Sequence, residues 1–149
     1  MKSIMPYLLV VAFVFNSAFL CQKERRPSSC HECPTDIMCT MEYRTIGVNV
    51  KDTLGNPYAL DSYRTKQLST GAVYDLQINL SAWEDSVNKA QGYYPVLTDS
   101  YTHINRCGED FEFLGYKNST LVVSQILNIK SDCCHVNLVS GNTEITVNP

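Results

Sequence analysis

The chain has 149 residues, of which 44% are hydrophobic and 18% are charged, and its formal net charge is −3. This length suits one domain with a single hydrophobic core, and the acidic balance argues against a nucleic-acid partner, which would call for a basic face. The chain also holds seven cysteines. Their chemistry depends on the compartment, because thiols tend to oxidise to disulfides outside the cytoplasm.

Residues 1–20 predict an export signal. One lysine near the start is followed by the apolar run Ile4–Leu20, and the chain becomes polar directly after Cys21. This order of segments is typical of a signal peptide. It is a poor transmembrane helix, which needs about 20 apolar residues in a row, because Pro6 and Asn16 interrupt the run.

The end of this signal resembles the lipobox of bacterial lipoproteins. Ala18-Phe19-Leu20-Cys21 places a cysteine at the right distance, but Leu20 stands where the motif has a small residue. On this interpretation Cys21 is the lipid anchor, and each buried CH₂ of its acyl chains contributes about 0.8 kcal/mol to membrane attachment. Gln22 favours the outer membrane, on its periplasmic or surface face. Two alternatives stay open: cleavage after Ala18 with secretion, and an uncleaved anchor.

Residues 21–38 predict a polar tether that ends in a cysteine-rich knuckle. Cys30, Cys33 and Cys39 have the spacing C-x2-C-x5-C, and His31 follows the first of them. Thiolates at such spacing can share a zinc ion, but clustered cysteines in an exported chain favour disulfides. We expect disulfides, with a secreted metal- or redox-handling cluster as the alternative.

Residues 39–149 predict a single all-β domain. Short alternating runs separated by turns are typical of an antiparallel β-sandwich of roughly seven to nine strands, Ig-like or transthyretin-like. The predicted strands lie at residues 42–51, 58–68, 72–80, 93–98, 111–115, 120–129, 133–139 and 145–147. The run 72–80 alternates most clearly, and Ser140-Gly141-Asn142 is expected to be a hairpin loop. Residues 81–92 are expected to be a loop with about one helical turn, since they hold few apolar anchors.

Several segments resemble known families. Val48-x-Val50-x-Asp52-x-x-Gly55-x-Pro57 resembles the first strand and turn of transthyretin-like and carboxypeptidase-regulatory-like sandwiches. A wider set resembles small envelope lipoproteins of Bacteroides-type bacteria over residues 39–147: Cys39-Thr40-Met41-Glu42-Tyr43, Tyr94-Pro95-Val96-Leu97-Thr98-Asp99, and Asp132-Cys133-Cys134-His135-Val136 with Ser140-Gly141. The resemblance implies a β-sandwich fold and a location in the cell envelope. It implies no particular activity.

The cysteines can be paired in many ways. If Cys21 carries lipid, the disulfide candidates are Cys30, Cys33, Cys39, Cys107, Cys133 and Cys134, and six cysteines allow fifteen connectivities. Neighbouring Cα atoms are about 3.8 Å apart, which is too close for an ordinary disulfide. Cys133 and Cys134 are therefore expected to bond different partners, one of them Cys39 and the other Cys107 or the knuckle. A free Cys21 would instead leave one odd thiol.

No residue is expected to be catalytic, and no cofactor or metal is expected. His135 follows Cys134, but neighbours in a strand point to opposite faces, so the two cannot form a dyad. We expect a packed or solvated histidine. Glu109 and Asp110 are interpreted as solvated turn residues, with a calcium site as the lesser alternative. The chain contains no nucleophile elbow, metalloprotease helix or phosphate-binding glycine loop.

Aromatic residues give the one binding-site hypothesis. Trp83, Tyr93, Tyr94 and Tyr101 are expected on loops at one end of the sandwich, as a platform that stacks on a sugar ring or grips a peptide. The alternative is that they are core residues, which is commoner for aromatics. The sequence thus predicts a non-enzymatic binding, adhesive or assembly module. Its expected partners are the membrane, through a lipid anchor, and an envelope protein or glycan, with no nucleic acid.

Overall fold

The structure, a computed structural model, describes residues 30, 33, 35–101 and 103–148. The expected signal peptide, the lipid-anchor candidate Cys21 and most of the tether lie outside the described residues. Within them the chain forms eight β-strands and one α-helix. These are β1 (Thr45–Asp52), β2 (Ser62–Gln67), β3 (Val73–Tyr74), α1 (Ala82–Gln91), β4 (Tyr93–Thr98), β5 (Glu109–Lys117), β6 (Thr120–Ser131), β7 (Val136–Ser140) and β8 (Glu144–Val147).

The strands form two sheets, which confirms the expected all-β class. One sheet has three strands in the order β4-β1-β8, and the other has five in the order β3-β2-β5-β6-β7. All neighbours pair antiparallel except β1 and β8, which are parallel. The expectation of a wholly antiparallel domain was therefore wrong. Residues 140–142 do not close a hairpin, because they carry the chain from β7 in one sheet to β8 in the other.

One hydrophobic core joins both sheets. Buried side chains recur at every second position of β1 and β2, as expected when one face of a sheet is covered, whereas β4 buries four residues in a row. The fully buried positions include Val48, Val50, Tyr94, Val96, Phe111, Phe113, Leu127 and Ile129. Tyr63 of β2 meets Tyr94 of β4 edge to face, with ring centroids 5.2 Å apart. Such a pair contributes about 0.5–1.5 kcal/mol beyond its buried area, so it helps to hold the sheets together.

The strand predicted over residues 72–80 was wrong beyond Tyr74. The side chain of Asp75 accepts a hydrogen bond from the backbone N–H of Gln77 at 3.1 Å, and residues Gln77–Asn79 form one turn of 3-10 helix. An aspartate that bonds the backbone two residues ahead offers the chain an alternative to the sheet ladder. Residues 76–80 therefore alternate in sequence but form a turn that leads into α1.

Helix α1 replaces the loop expected at residues 81–92. Ser81 accepts a hydrogen bond from the backbone N–H of Glu84, and the Glu84 carboxylate accepts one from the backbone N–H of Ser81. This reciprocal capping box satisfies two N–H groups that a helix start would leave unpaired. Gly92 ends the helix with φ of 67°, a left-handed conformation that glycine adopts without a steric penalty.

Three disulfides bind the N-terminal segment to the rest of the domain. They join Cys30 to Cys107, Cys33 to Cys133 and Cys39 to Cys134. The prediction that Cys133 and Cys134 bond different partners, one of them Cys39, is confirmed. We call the described residues from Cys30 to Tyr43 the N-terminal strap. Among the described residues no helix has the length and apolar character needed to cross a membrane.

Candidate binding cleft

A cleft of about 550 Å³ opens on the surface beside β4 and α1. This volume lies within the range of about 300–1,000 Å³ that is usual for small-molecule sites. The wall residues that the structure describes come from the end of the strap, from β1 and β4, from the turn after β4, from the segment that leads into α1, and from α1 itself. They are Tyr43, Thr45, Leu76, Asn79, Leu80, Glu84, Asn88, Tyr93, Pro95, Thr98, Ser100 and Tyr101.

A β-bulge between β1 and β4 lies next to Gly47, the residue that the ring of Tyr93 covers. Gly47 pairs with Pro95 whereas the preceding Ile46 pairs with Leu97, so Val96 is the extra residue on β4. The ring of Tyr93 lies directly over Gly47, where a Cβ atom would collide with it. Burial raises the pKa of the Tyr93 hydroxyl, which keeps the phenol neutral. Gly47 is thus needed for its lack of a side chain.

Two further tyrosines are held in place at the other end of the cleft. The hydroxyl of Tyr43 donates a hydrogen bond to Oγ1 of Thr98 at 2.9 Å and lies 2.8 Å from Oγ of Ser100. The ring of Tyr101 packs edge-on against Tyr74, with centroids 4.8 Å apart. The two rings are therefore positioned by contacts within the protein, before any ligand arrives.

The helical side of the cleft is polar. Glu84 accepts hydrogen bonds from Oγ and the backbone N–H of Ser81, and these bonds lower the pKa of the Glu84 carboxyl. Asn88 lies four residues further along α1, and residues four apart share a helix face. The side-chain amides of Asn88 and Asn79 make no hydrogen bond to any other residue in the described part of the chain. No described residue therefore competes with a ligand for these two amides.

The expected aromatic platform is assembled only in part. Tyr93 and Tyr101 line the cleft, whereas Trp83 is 73% exposed on α1 and does not line it. The expectation for Tyr94 was wrong, because its ring is buried in the core. Its hydroxyl donates to the backbone carbonyl of Tyr58 and accepts from the backbone N–H of Leu60, both at 2.8 Å. Successive side chains of a strand point to opposite faces, so Tyr93 and Tyr94 could not both face the cleft.

Tyr43 is the cleft tyrosine that sequence reasoning missed, along with the polar cleft residues such as Asn79 and Asn88. It lies 55 residues before Thr98 and 57 before Ser100, its two hydrogen-bond partners. No local pattern links positions so far apart. The available signal was indirect: Tyr43 stands two residues before β1, so its place depends on which strand pairs with β1.

A buried carboxylate forms a second polar cluster near the strap. Asp99 accepts hydrogen bonds from the backbone N–H groups of Arg44 and Val136, each at 2.7 Å. Its Oδ2 also lies 2.7 Å from Nδ1 of His135, and both side chains are only 8% exposed. Burial opposes ionisation of Asp99, but hydrogen bonds from Arg44, His135 and Val136 outweigh it and lower the pKa of the carboxyl. We call Asp99, His135 and Thr40 the Asp99 junction.

The junction fastens the strap to the sheets. Thr40 Oγ1 lies 2.9 Å from Nε2 of His135, which gives the order hydroxyl, imidazole and carboxylate found in hydrolase triads. Neither Thr40 nor His135 lines the cleft, however, and Asp99 is occupied by backbone groups next to β1 and β7. Of the two expected alternatives, a packed or a solvated histidine, the structure shows the packed one, and the sulfur of Cys134 beside it is bonded to Cys39.

The cysteines of the knuckle do not come together as a metal site. Cys30, Cys33 and Cys39 belong to three separate disulfides, and His31 lies outside the described residues. Across residues 35–101 and 103–148, with Cys30 and Cys33, no three histidine, cysteine or acidic side chains group around a point that could hold a metal ion. Glu109 and Asp110 instead begin β5.

The fold and the cleft define the class of protein as a small all-β domain with three disulfides and an open, tyrosine-lined cleft. Comparison of the chain with known protein families, with curated proteins and with solved structures finds no match in any of the three.

Proposed function

We propose that this protein is an exported binding module that presents the cleft to a ligand at the cell envelope. The observation that carries the proposal is the cleft itself, whose tyrosines are positioned by contacts within the protein and whose two asparagine amides are unpaired within the described chain. Preformed concave sites with a few free polar groups are typical of ligand binding. Three disulfides support export, because such bonds persist in oxidising compartments.

Binding is a better proposal for this site than catalysis. Among the described residues that line the cleft, Glu84 is the only carboxylate, and it is engaged by Ser81 at the start of α1. General acid–base chemistry needs a group positioned to give or take a proton, and glycoside hydrolysis usually takes two carboxylates. The described part of the cleft wall supplies neither a second carboxylate nor a histidine.

The proposed module is a β-sandwich that is attached to the outer membrane. Two sheets that share one core support a β-sandwich of the transthyretin-like kind. The lipobox-like sequence before Cys21 supports attachment to the outer membrane through lipid, with the tether carrying the domain away from the bilayer. The partner would then be another envelope component, either a protein or a glycan.

A variant that fills the cleft tests this function. In Asn88→Trp an indole would occupy space beside Tyr93, while Ser86→Trp places the same side chain on α1 away from the cleft. We expect purified full-length protein to bind immobilised envelope fraction saturably, and Asn88→Trp to weaken this binding at least tenfold. Ser86→Trp should bind like the wild type. If both variants bind like the wild type, the cleft is not the binding site.

A further inference from the structure

We infer that the cleft recognises neutral carbohydrate, an inference that rests on the proposed function and names its ligand class. The three side-chain types that sugar recognition needs are present together: aromatic rings, amides able to donate and accept, and small hydroxyls. The residues that carry the inference are Tyr93, Tyr101, Asn79, Asn88 and Ser100.

The tyrosine rings can supply apolar stacking surface. A pyranose ring has an apolar face of C–H groups, which packs on an aromatic face without loss of the hydroxyl hydrogen bonds at its rim. Tyr93 covers Gly47 with one side of its ring, and Tyr101 is braced by Tyr74. Rings that are already held lose little conformational entropy on binding, so more of the contact free energy is left for affinity.

The free amides match hydroxyl groups in particular. Each asparagine amide offers two N–H donors and one carbonyl acceptor, and a sugar hydroxyl both donates and accepts. Apart from backbone hydrogen bonds, Asn79 and Asn88 are unpaired among the described residues, because their side-chain amides bond to none of them. A wholly apolar ligand would cover them and leave them unpaired, which is unfavourable, whereas a polyhydroxylated ligand can satisfy both.

The charge of the cleft favours a neutral sugar over an anionic one. Among the described residues that line the cleft, none is lysine or arginine, the residues that usually bind carboxylate or phosphate. The one charged group in this described wall is Glu84, whose pKa is lowered by Ser81, so the carboxylate is ionised at neutral pH. A uronate or phosphate would meet this negative charge and no compensating cation from the described wall.

The inference can be tested with defined oligosaccharides. Saturation-transfer NMR and titration calorimetry would use maltohexaose, cellohexaose, chitohexaose, mannohexaose and the anionic hexamer of galacturonic acid as probes of the full-length protein. We expect at least one neutral hexamer to bind and the anionic hexamer not to bind. Asn79→Ala with Asn88→Ala should weaken binding about tenfold, and Gln91→Ala, an amide on α1 outside the cleft, should not change it.

A second arm uses the envelope fraction and separates the sources of ligand. The fraction would be treated with periodate, which cleaves vicinal diols, or with protease, and then quenched before the protein is added. Loss of binding after periodate supports the inference. If protease abolishes binding and periodate does not, or if the double asparagine variant binds sugar like the wild type, the carbohydrate inference is overturned.

These outcomes also separate the inference from the proposed function. If Asn88→Trp loses binding to the envelope fraction but periodate has no effect, the cleft binds a ligand that is not a sugar, so only the inference fails. If Asn88→Trp binds the fraction like the wild type, the cleft is not the binding site and the proposed function fails. If no oligosaccharide binds and the periodate-treated fraction still binds, the carbohydrate inference is rejected outright.

Discussion

The lack of a side chain at Gly47 leaves the space that the Tyr93 ring occupies. Because a Cβ at this position would collide with the outer end of the Tyr93 ring, Gly47→Ala must displace that ring. We expect a loss of about 1–3 kcal/mol in the free energy of unfolding, the usual cost of overpacking, and loss of binding in the cleft. Urea denaturation measures the first effect and titration calorimetry the second.

A double-mutant cycle identifies the cause of that loss. If the collision with the Tyr93 ring is responsible, Gly47→Ala should cost far less in a Tyr93→Ala background, because residues in contact show non-additive effects. Equal costs in the two backgrounds would mean that Gly47 is needed for its backbone and not for the space above it.

Asp99 makes the fold sensitive to acid. The pKa of its carboxyl is lower in the folded protein than the ordinary value of 3.8. Ionised Asp99 therefore stabilises the fold at pH values above the unfolded pKa, and this contribution is lost as pH falls through the folded pKa. We expect Asp99→Asn to lower the free energy of unfolding by about 1–3 kcal/mol at pH 6, and the difference from wild type to shrink by pH 3.

Denaturation series between pH 6 and pH 3 measure this dependence. The exposed Asp36 offers a matched substitution, Asp36→Asn, which should track the wild type across the range. A deficit of Asp99→Asn that stays constant down to pH 3 would show that the variant is destabilised by packing alone, without a contribution from the charge.

At the scale of elements, helix α1 depends on its first turn. Ser81→Ala removes the capping box with Glu84, and loss of such a cap costs about 1 kcal/mol. Since Glu84 and Asn88 of α1 form one side of the cleft, ligand affinity should fall as the helix frays. Hydrogen exchange of the α1 amides should rise in Ser81→Ala and not in Ser86→Ala, which lies within the helix. Unchanged exchange in Ser81→Ala would contradict this role.

The strands were largely predictable from the sequence, whereas the helix and the pairing of the strands were not. Alternation located most strands, because period two is a local property. The start of α1 carried a readable signal, Ser81 followed three residues later by Glu84, but the few apolar anchors of this segment argued for a loop. The parallel pairing of β1 with β8 had no local signal, since Asn49 pairs with Glu144 far along the chain. The sequence could not decide which of the neighbours Tyr93 and Tyr94 faces the core, because that depends on how β4 pairs with β1.

At the scale of the whole molecule, the disulfides and the proposed anchor can be tested together. Cys133 and Cys134 could be assigned to different partners from covalent geometry alone, but the choice of Cys33 over Cys107 depended on the fold. Intact mass spectrometry of protein from its native membrane fraction should give an N-terminus at acylated Cys21 and six cysteines that alkylate only after reduction. An N-terminus before Cys21 would overturn the lipid anchor. Thiols that alkylate without reduction would contradict the three disulfides.

The arrangement of the three disulfides also determines how the domain carries mechanical force. Tension applied from the N-terminal end reaches Cys30 first and passes through its covalent bond to Cys107, just before β5. That strand lies in the middle of the five-stranded sheet. The load therefore enters the five-stranded sheet at its central strand. The hydrogen bonds that hold β1 or β2 in their sheets do not have to break first. If the protein is anchored through its N-terminal end as proposed, a pull on the domain is therefore met first by a covalent bond and not by the hydrogen bonds of an edge strand.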